Sequence, residues 1–287
     1  MGREENVKVF RDTEKQVKER KALADAVRYS TGHQILVPEY MAVAEMMPEV
    51  EINYNRYSED AQIVVSGKRS YEAASAYKEM QVCVHNFASA TNPGGGVTRG
   101  SSAQEECLCR CSTLYFNLNT SAVWAGFYTP HRNAGDPLHN DDCIYTPGVV
   151  VFKTDTANPE LMPEKDWYRV NVVTCAAPNL RSVPGNAMNV GDGSHRAVIS
   201  EEELCELQEK RLSRILEVAA AGGNEVVILG AFGCGAFENP PEVVAKASKK
   251  VIERYKRSFK IIEFAIYCSP RDEQNYTVFR KAFNMLP

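Results

Sequence analysis

Short apolar blocks alternate along this chain with longer stretches in which apolar residues recur every three or four positions. Met80–Phe87 alternates and reads as a buried strand. Ala61–Val65, Ile144–Lys153, Val170–Ala176, Glu225–Gly230 and Ile261–Tyr267 read as further strands. Val170–Ala176 is almost continuously apolar, which marks it as central and buried on both faces. Between Gln104 and Leu118 the residues Cys107, Leu108, Cys111, Leu114, Tyr115 and Leu118 fall at helical spacing, predicting one helix. Ser70–Glu79, Glu201–Ala221, Glu242–Tyr255 and Asp272–Phe283 predict others, and Thr120–Asp142 reads as loop-rich. Strands and helices in alternation predict an α/β fold, a three-layer α/β/α sandwich around a mostly parallel, mixed sheet. Glu4–Arg28 is charged and helix-prone, but Val7, Phe10, Val17, Leu23, Ala24 and Val27 form only a ragged stripe. The expected organisation is an N-terminal helical extension over 1–60, packed on a single folding unit over 61–287.

The strand at Met80–Phe87 leads into Asn92-Pro93-Gly94-Gly95-Gly96, and seven residues later Gln104-Glu105-Glu106 opens the predicted helix. Glycines let backbone N–H groups approach an anion closely, and a helix N-terminus adds favourable partial charge. The plainer reading is structural. Ser101 with Gln104, and Ser102 with Glu105, each satisfy the capping-box pattern, and acids in a first turn stabilise a helix unaided. The device recurs at Val226–Phe237, where an apolar strand runs into Gly230-Ala231-Phe232-Gly233-Cys234-Gly235-Ala236-Phe237. Pro240-Pro241 then opens a helix, a position that tolerates the missing N–H. Neither loop has the spacing of a dinucleotide fingerprint or a P-loop. Two glycine loops at strand ends can flank one phosphate-containing ligand.

Composition narrows the classes. A chain of 287 residues with 44% hydrophobic content supports a sizeable core, and no linker or repeat divides it. No apolar run approaches the roughly 18 residues that span a membrane, and no signal segment opens the chain, so a soluble, unsecreted, cytoplasmic protein is expected. Nine cysteines without a signal segment argue against a disulfide framework. Cys107, Cys109 and Cys111 are poor zinc geometry on a helix, because the middle one points away; buried thiols are expected, with no metal and no cofactor. Net charge is −4 with no cluster of five basic residues, which argues against a broad nucleic-acid surface. His131 and His139 flank turns and are expected to be solvated.

The wording around these motifs (NFASATNPGGG and QEE, then VTCAAPN at Val173–Asn179 and LGAFGCGAF at Leu229–Phe237) resembles the microbial branch of the poly(ADP-ribose) glycohydrolases. The resemblance spans Tyr54 to the C-terminus and implies a macrodomain-like core. It implies an exo-acting enzyme that cuts the ribose–ribose bond of poly(ADP-ribose) and releases ADP-ribose. Alternatives are a hydrolase acting on single ADP-ribosyl groups of a modified protein, or a non-catalytic ADP-ribose reader. The intact glutamate pair argues against the reader. A monomer is expected.

The resemblance makes Glu106 the acid/base. Glu105 and Asn92 would hold ribose hydroxyls, and Gly94, Gly95, Gly96 and Gln104 would complete that side. Gly233, Cys234, Gly235 and Ala236 would wrap the diphosphate with N–H groups. Phe237 would press on the distal ribose or, equally, anchor the loop in the core. Asn86 and Ser89 either reach ribose or hold local backbone, and Asn179 reads as a turn residue. Adjacent helical side chains diverge by about 100°, so the two glutamates do not flank one bond from opposite faces as glycosidase pairs do. A helix N-terminus lowers a carboxyl pKa, so burial must push that of Glu106 back up for it to act as an acid.

Overall fold

The computed structural model describes residues 2–49, 52–187, 189–268 and 272–285. In chain order the elements begin with α1 (Arg3–Glu19), α2 (Lys21–Gly32), β1 (Ile35–Val37), α3 (Val43–Met46) and β2 (Gln62–Ser66). Next come α4 (Ser70–Ser75), β3 (Val82–Ala88), a 3-10 turn (Val97–Arg99), α5 (Gln104–Cys111) and α6 (Leu114–Leu118). A helical stretch follows: α7 (Ser121–Val123), a π-turn (Trp124–Tyr128) and α8 (Thr129–Ala134). The rest is β4 (Cys143–Val151), β5 (Tyr168–Ala176), α9 (Glu201–Ala221), β6 (Val226–Leu229), α10 (Pro241–Tyr255), β7 (Ile261–Ala265) and α11 (Gln274–Ala282).

The strands form one mixed sheet in the order β1-β4-β5-β3-β6-β7-β2. Five neighbouring strands, from β5 to β2, run parallel, while β4 is antiparallel to β5 and β1 to β4. Alternate side chains of β3 serve opposite faces. Cys83 joins Val173, Val227 and Ile262 under Leu212, Ile215 and Leu216 of α9 and Val251 and Ile252 of α10. Val82 and Val84 face the other way, under Leu108 and Cys109 of α5, Tyr71 of α4 and Phe10 of α1. Both faces are covered, which is why the central strands are nearly continuous apolar runs. No helix of the described residues is long and apolar enough to cross a membrane.

Three expectations change. The helix predicted from Gln104 to Leu118 is broken: Ser112 is extended (φ −145°, ψ −179°) and bridges Val151. Thr113 N–H donates to Val150 O at 3.0 Å, and Val150 N–H donates to Thr113 Oγ1 at 3.1 Å. β1 pairs only with Cys143–Tyr145, so the far half of β4 would be a bare edge, and this break covers it. The helix expected at Ser70–Glu79 stops at Ser75 and relaxes into turns. Thr120–Asp142 is helical over Ser121–Ala134, where Thr120 Oγ1 caps Val123 N–H. At the N-terminus Arg20 is extended and separates α1 from α2. Residues 35–37 of this region add a strand to the sheet.

Candidate active site

The two glycine loops meet at the carboxyl ends of β3 and β6, and a cavity of about 850 Å³ opens between them. Its wall includes Ser89, Gly95, Gly96, Glu105, Glu106 and Phe237. The N-cap of α5 is Ala103, with no side-chain cap, so both expected capping boxes are out of register. Freed from capping, the first turn faces the site. Gln104 ties α5 to β3 and α4: its Oε1 accepts from Phe87 N–H at 3.0 Å, and its Nε2 donates to His85 O at 2.8 Å and Ser70 Oγ at 3.0 Å.

Glu105 and Glu106 are both buried, yet they are held differently. Glu105 has both oxygens engaged: Oε2 accepts from Ser89 N–H at 2.8 Å and Oε1 from Asn86 Nδ2 at 3.3 Å. Glu106 Oε1 accepts from Gly96 N–H at 2.8 Å, and its Oε2 is buried without a hydrogen-bond partner among the described residues. Burial pushes the Glu105 carboxyl up to about 8, with the Glu106 charge adding and the Ser89 and Gly94 N–H groups opposing. Burial also raises Glu106, against the pull of Gly96 N–H and the Arg110 guanidinium. Desolvation therefore outweighs the helix N-terminus.

Gly95 brings the pair together. Its φ is +56°, a conformation glycine adopts freely, and a Cβ there would lie 2.6 Å from Glu106 Oε1 and 3.2 Å from Glu105 Oε2. Despite their divergence along the helix, the two carboxylates thus reach one spot beneath the loop. Gly94 faces inward: a Cβ would meet Tyr115 at 2.8 Å and Cys109 at 3.2 Å.

The second loop is clamped by Asn239, whose Nδ2 donates to Pro178 O at 2.7 Å and Gly233 O at 3.2 Å. Cys234 N–H is used in a turn, donating to Ala231 O at 3.1 Å. The N–H groups of Gly233, Gly235, Ala236 and Phe237 have no acceptor among the described residues, and all four residues line the cavity. A Cβ on Gly235 would meet nothing within 4 Å.

Of the residues singled out from sequence, Ser89, Gly95, Gly96, Gln104, Glu105, Glu106, Gly233, Gly235, Ala236 and Phe237 share the cavity. The other four lie behind it. Asn86 is fully buried between Glu105 and Thr174 Oγ1. Asn92 Oδ1 accepts from Arg132 Nη2 and its N–H donates to Ser89 Oγ at 3.1 Å. Gly94 packs inward, and Cys234 is half-buried off the wall. Cys109 and Cys111 are buried thiols, and Cys107 is half-buried at the rim.

His131 and His139 are not solvated. Both are buried, with His131 Nε2 2.7 Å from Asn140 Oδ1 and His139 Nδ1 2.8 Å from Ala177 O. His139 Nε2 lies 3.6 Å from buried Asp192 Oδ2. Asp192 accepts from Thr91 Oγ1 at 2.9 Å and Asn179 Nδ2 at 2.8 Å. It thereby fixes the turn that carries Asn186 and Asn189 onto the cavity wall. Those two asparagines were not foreseen. Also unforeseen is the far end, where Arg69 lies 4.0 Å over the Tyr267 ring and Asp155, raised to about 6 by burial, lines the floor.

The site is thus a buried carboxylate pair between two glycine loops at parallel strand ends, beside a cavity lined by both. The chain belongs to the family "Microbial-type PARG, catalytic domain", which it matches over residues 5–154. The fold is similar to that of poly(ADP-ribose) glycohydrolase from Thermomonospora curvata, at 28% identity and a TM-score of 0.81 over 97% of this chain and 99% of that one. The same relative bound to the inhibitor ADP-HPD matches at 28% identity and a TM-score of 0.78, covering 96% and 98%. The Deinococcus radiodurans enzyme in complex with ADP-ribose matches at 28% identity and a TM-score of 0.74, covering 90% and 97%. No curated protein sequence matches the chain.

Proposed function

We propose that this chain is an exo-acting poly(ADP-ribose) glycohydrolase in which Glu106 handles the proton in both halves of the reaction. The observation that carries this reading is the contrast between the two carboxylates. Both Glu105 oxygens are occupied, which suits a positioning role toward ribose hydroxyls, whereas Glu106 keeps one oxygen unpartnered in a buried place. Burial raises its carboxyl above the ordinary range, against the pull of Gly96 N–H and Arg110, and so favours the protonated form that an acid step needs. The bond between the ribose C1″ and the 2′-oxygen of the preceding unit breaks with its electron pair going to oxygen, which takes the Glu106 proton. Water then adds to the oxocarbenium-like carbon and gives its proton to the Glu106 carboxylate. The unpaired N–H groups of Gly233, Gly235, Ala236 and Phe237 suit the diphosphate of the released unit. The Arg69–Tyr267 pair offers a flat surface to the adenine.

The test supplies labelled polymer and, separately, mono-ADP-ribosylated protein, and follows free ADP-ribose. Release from polymer ends, with no internal cuts early on, is the expected result. Release only from the modified protein, or early oligomers, would sink the exo-glycohydrolase reading. In the same assay Glu106→Gln is expected to lose at least about 10²–10⁴-fold in turnover while binding ADP-ribose within a few-fold of wild type.

A further inference from the structure

Three arginines line the cavity: Arg3, Arg69 and Arg181. Arg69 is engaged, with Nη1 3.4 Å from Cys107 Sγ and its guanidinium over the Tyr267 ring. Arg3 and Arg181 differ. Neither side chain has a hydrogen bond, ion pair or ring contact among the described residues. Both line the cavity that holds Glu105 and Glu106. Arg3 opens α1, and its carbonyl is packed against Gly100, which leaves no room there for a Cβ. Asn6 Nδ2 fixes the same contact, donating to Gly100 O at 3.0 Å, and Arg110 Nη1 holds Ser101 O at 2.5 Å. That wall continues from Gly96, whose N–H holds Glu106. Arg181 follows Leu180, whose N–H donates to Phe237 O at 3.0 Å beside the second glycine loop.

We propose that Arg3 and Arg181 hold a phosphate of the polymer that stays behind, the part joined through its 2′-oxygen to the ribose being cut. This rests on the glycohydrolase reading and extends it to the substrate beyond the released unit. The released diphosphate already has four backbone donors on the second glycine loop, so it needs no guanidinium. The retained chain must leave past Glu106, through the cavity that these arginines line. With a net charge of −4 the molecule as a whole repels a polyanion, so attraction has to be local. A guanidinium is charged at every working pH, and its planar fork matches a phosphate bidentately.

The test compares wild type with Arg3→Ala, Arg181→Ala and the double variant on long polymer, and measures ADP-ribose affinity by calorimetry. Each single variant is expected to lower kcat/KM on polymer roughly three- to fivefold and the double variant about tenfold, as exposed charge pairs allow. The loss should lie in KM. The double variant should also flatten the dependence of log(kcat/KM) on log salt by about 0.7 per lost contact, with ADP-ribose affinity within twofold of wild type. An equal loss of ADP-ribose affinity would put the arginines on the released unit and overturn the proposal. Unchanged KM and salt dependence would overturn it too. Polymer binding is measured in parallel in a Glu106→Gln background, where no cleavage intervenes. If wild type releases no ADP-ribose while the arginines still govern polymer binding there, the glycohydrolase reading fails and the arginine site stands.

Discussion

Glu105 and Glu106 are neighbours with the same side chain, and their surroundings set them apart. One is tied at both oxygens, the other at one. Because burial raises Glu105 to about 8 from an ordinary 4.5, the folded protein binds a proton there that the unfolded chain releases. That contribution to stability is full below about 4.5 and is lost as pH rises through about 8, at a cost of up to about 5 kcal/mol. Melting midpoints between about pH 5 and pH 9 should therefore fall more steeply for wild type than for Glu105→Gln, whose amide keeps an acceptor for Ser89 N–H. Parallel curves would show that Glu105 is not held protonated. Gly95 is the second residue with sharp consequences. In Gly95→Ala the methyl group would meet Glu106 Oε1 at 2.6 Å in a left-handed backbone. Stability should fall by about 1 kcal/mol and turnover by at least about 10²-fold, whereas near-normal turnover would mean that Glu106 need not sit where it does. The glutamates and glycines were legible in the sequence because their chemistry is bound to residue type. Asn186 and Asn189 were not, since an asparagine in a polar stretch looks the same in a turn as on a cavity wall.

At the scale of elements, periodicity located six of the seven strands and α9 to the residue, because a covered strand or a long amphipathic helix repeats its signal many times; the three residues of β1 do not. It failed where a tertiary partner intervenes. Nothing in the apolar spacing of Gln104–Leu118 announces that Ser112 and Thr113 leave the helix to cover an exposed stretch of β4. Nor does the composition of Thr120–Asp142 show that His131 and His139 are buried, His139 beside Asp192. The second glycine loop was legible, but not its division of labour, since Cys234 N–H closes a turn while its neighbours stay free. That division makes Gly235→Val informative. Its side chain would enter open cavity without meeting protein, so the melting midpoint should hold while ADP-ribose affinity drops by tenfold or more, about 1.4 kcal/mol. Unchanged affinity by calorimetry would mean that the phosphates lie elsewhere.

At the scale of the whole molecule, the cavity is assembled from segments far apart in the chain, with α1 at one end of the sequence and Tyr267 at the other. The ragged apolar stripe of residues 4–28 does not show how the extension is held: besides Phe10 and Val17 in the core, α1 is stitched down by polar bonds that no hydropathy pattern displays. Lys153, 2% exposed, donates to Val9 O and Thr13 Oγ1, each at 2.9 Å, and pairs with Asp12 at 2.7 Å. Thr13 Oγ1 donates to Arg110 O at 2.5 Å, and Asn6 reaches Gly100 on the cavity wall. We propose that α1 and the core act as one unit, and that the position of the wall above Glu106 depends on α1. Asn6→Ala tests this in a graded way. Removing the amide leaves Gly100 O buried without its donor, which should destabilise the protein by about 1–2 kcal/mol. It should also free the Gly96–Ser101 segment, so that turnover on polymer falls several-fold even well below the melting midpoint. A variant that melts earlier yet turns over polymer at the wild-type rate would make α1 a stabilising cover only, with no hold on the catalytic loop.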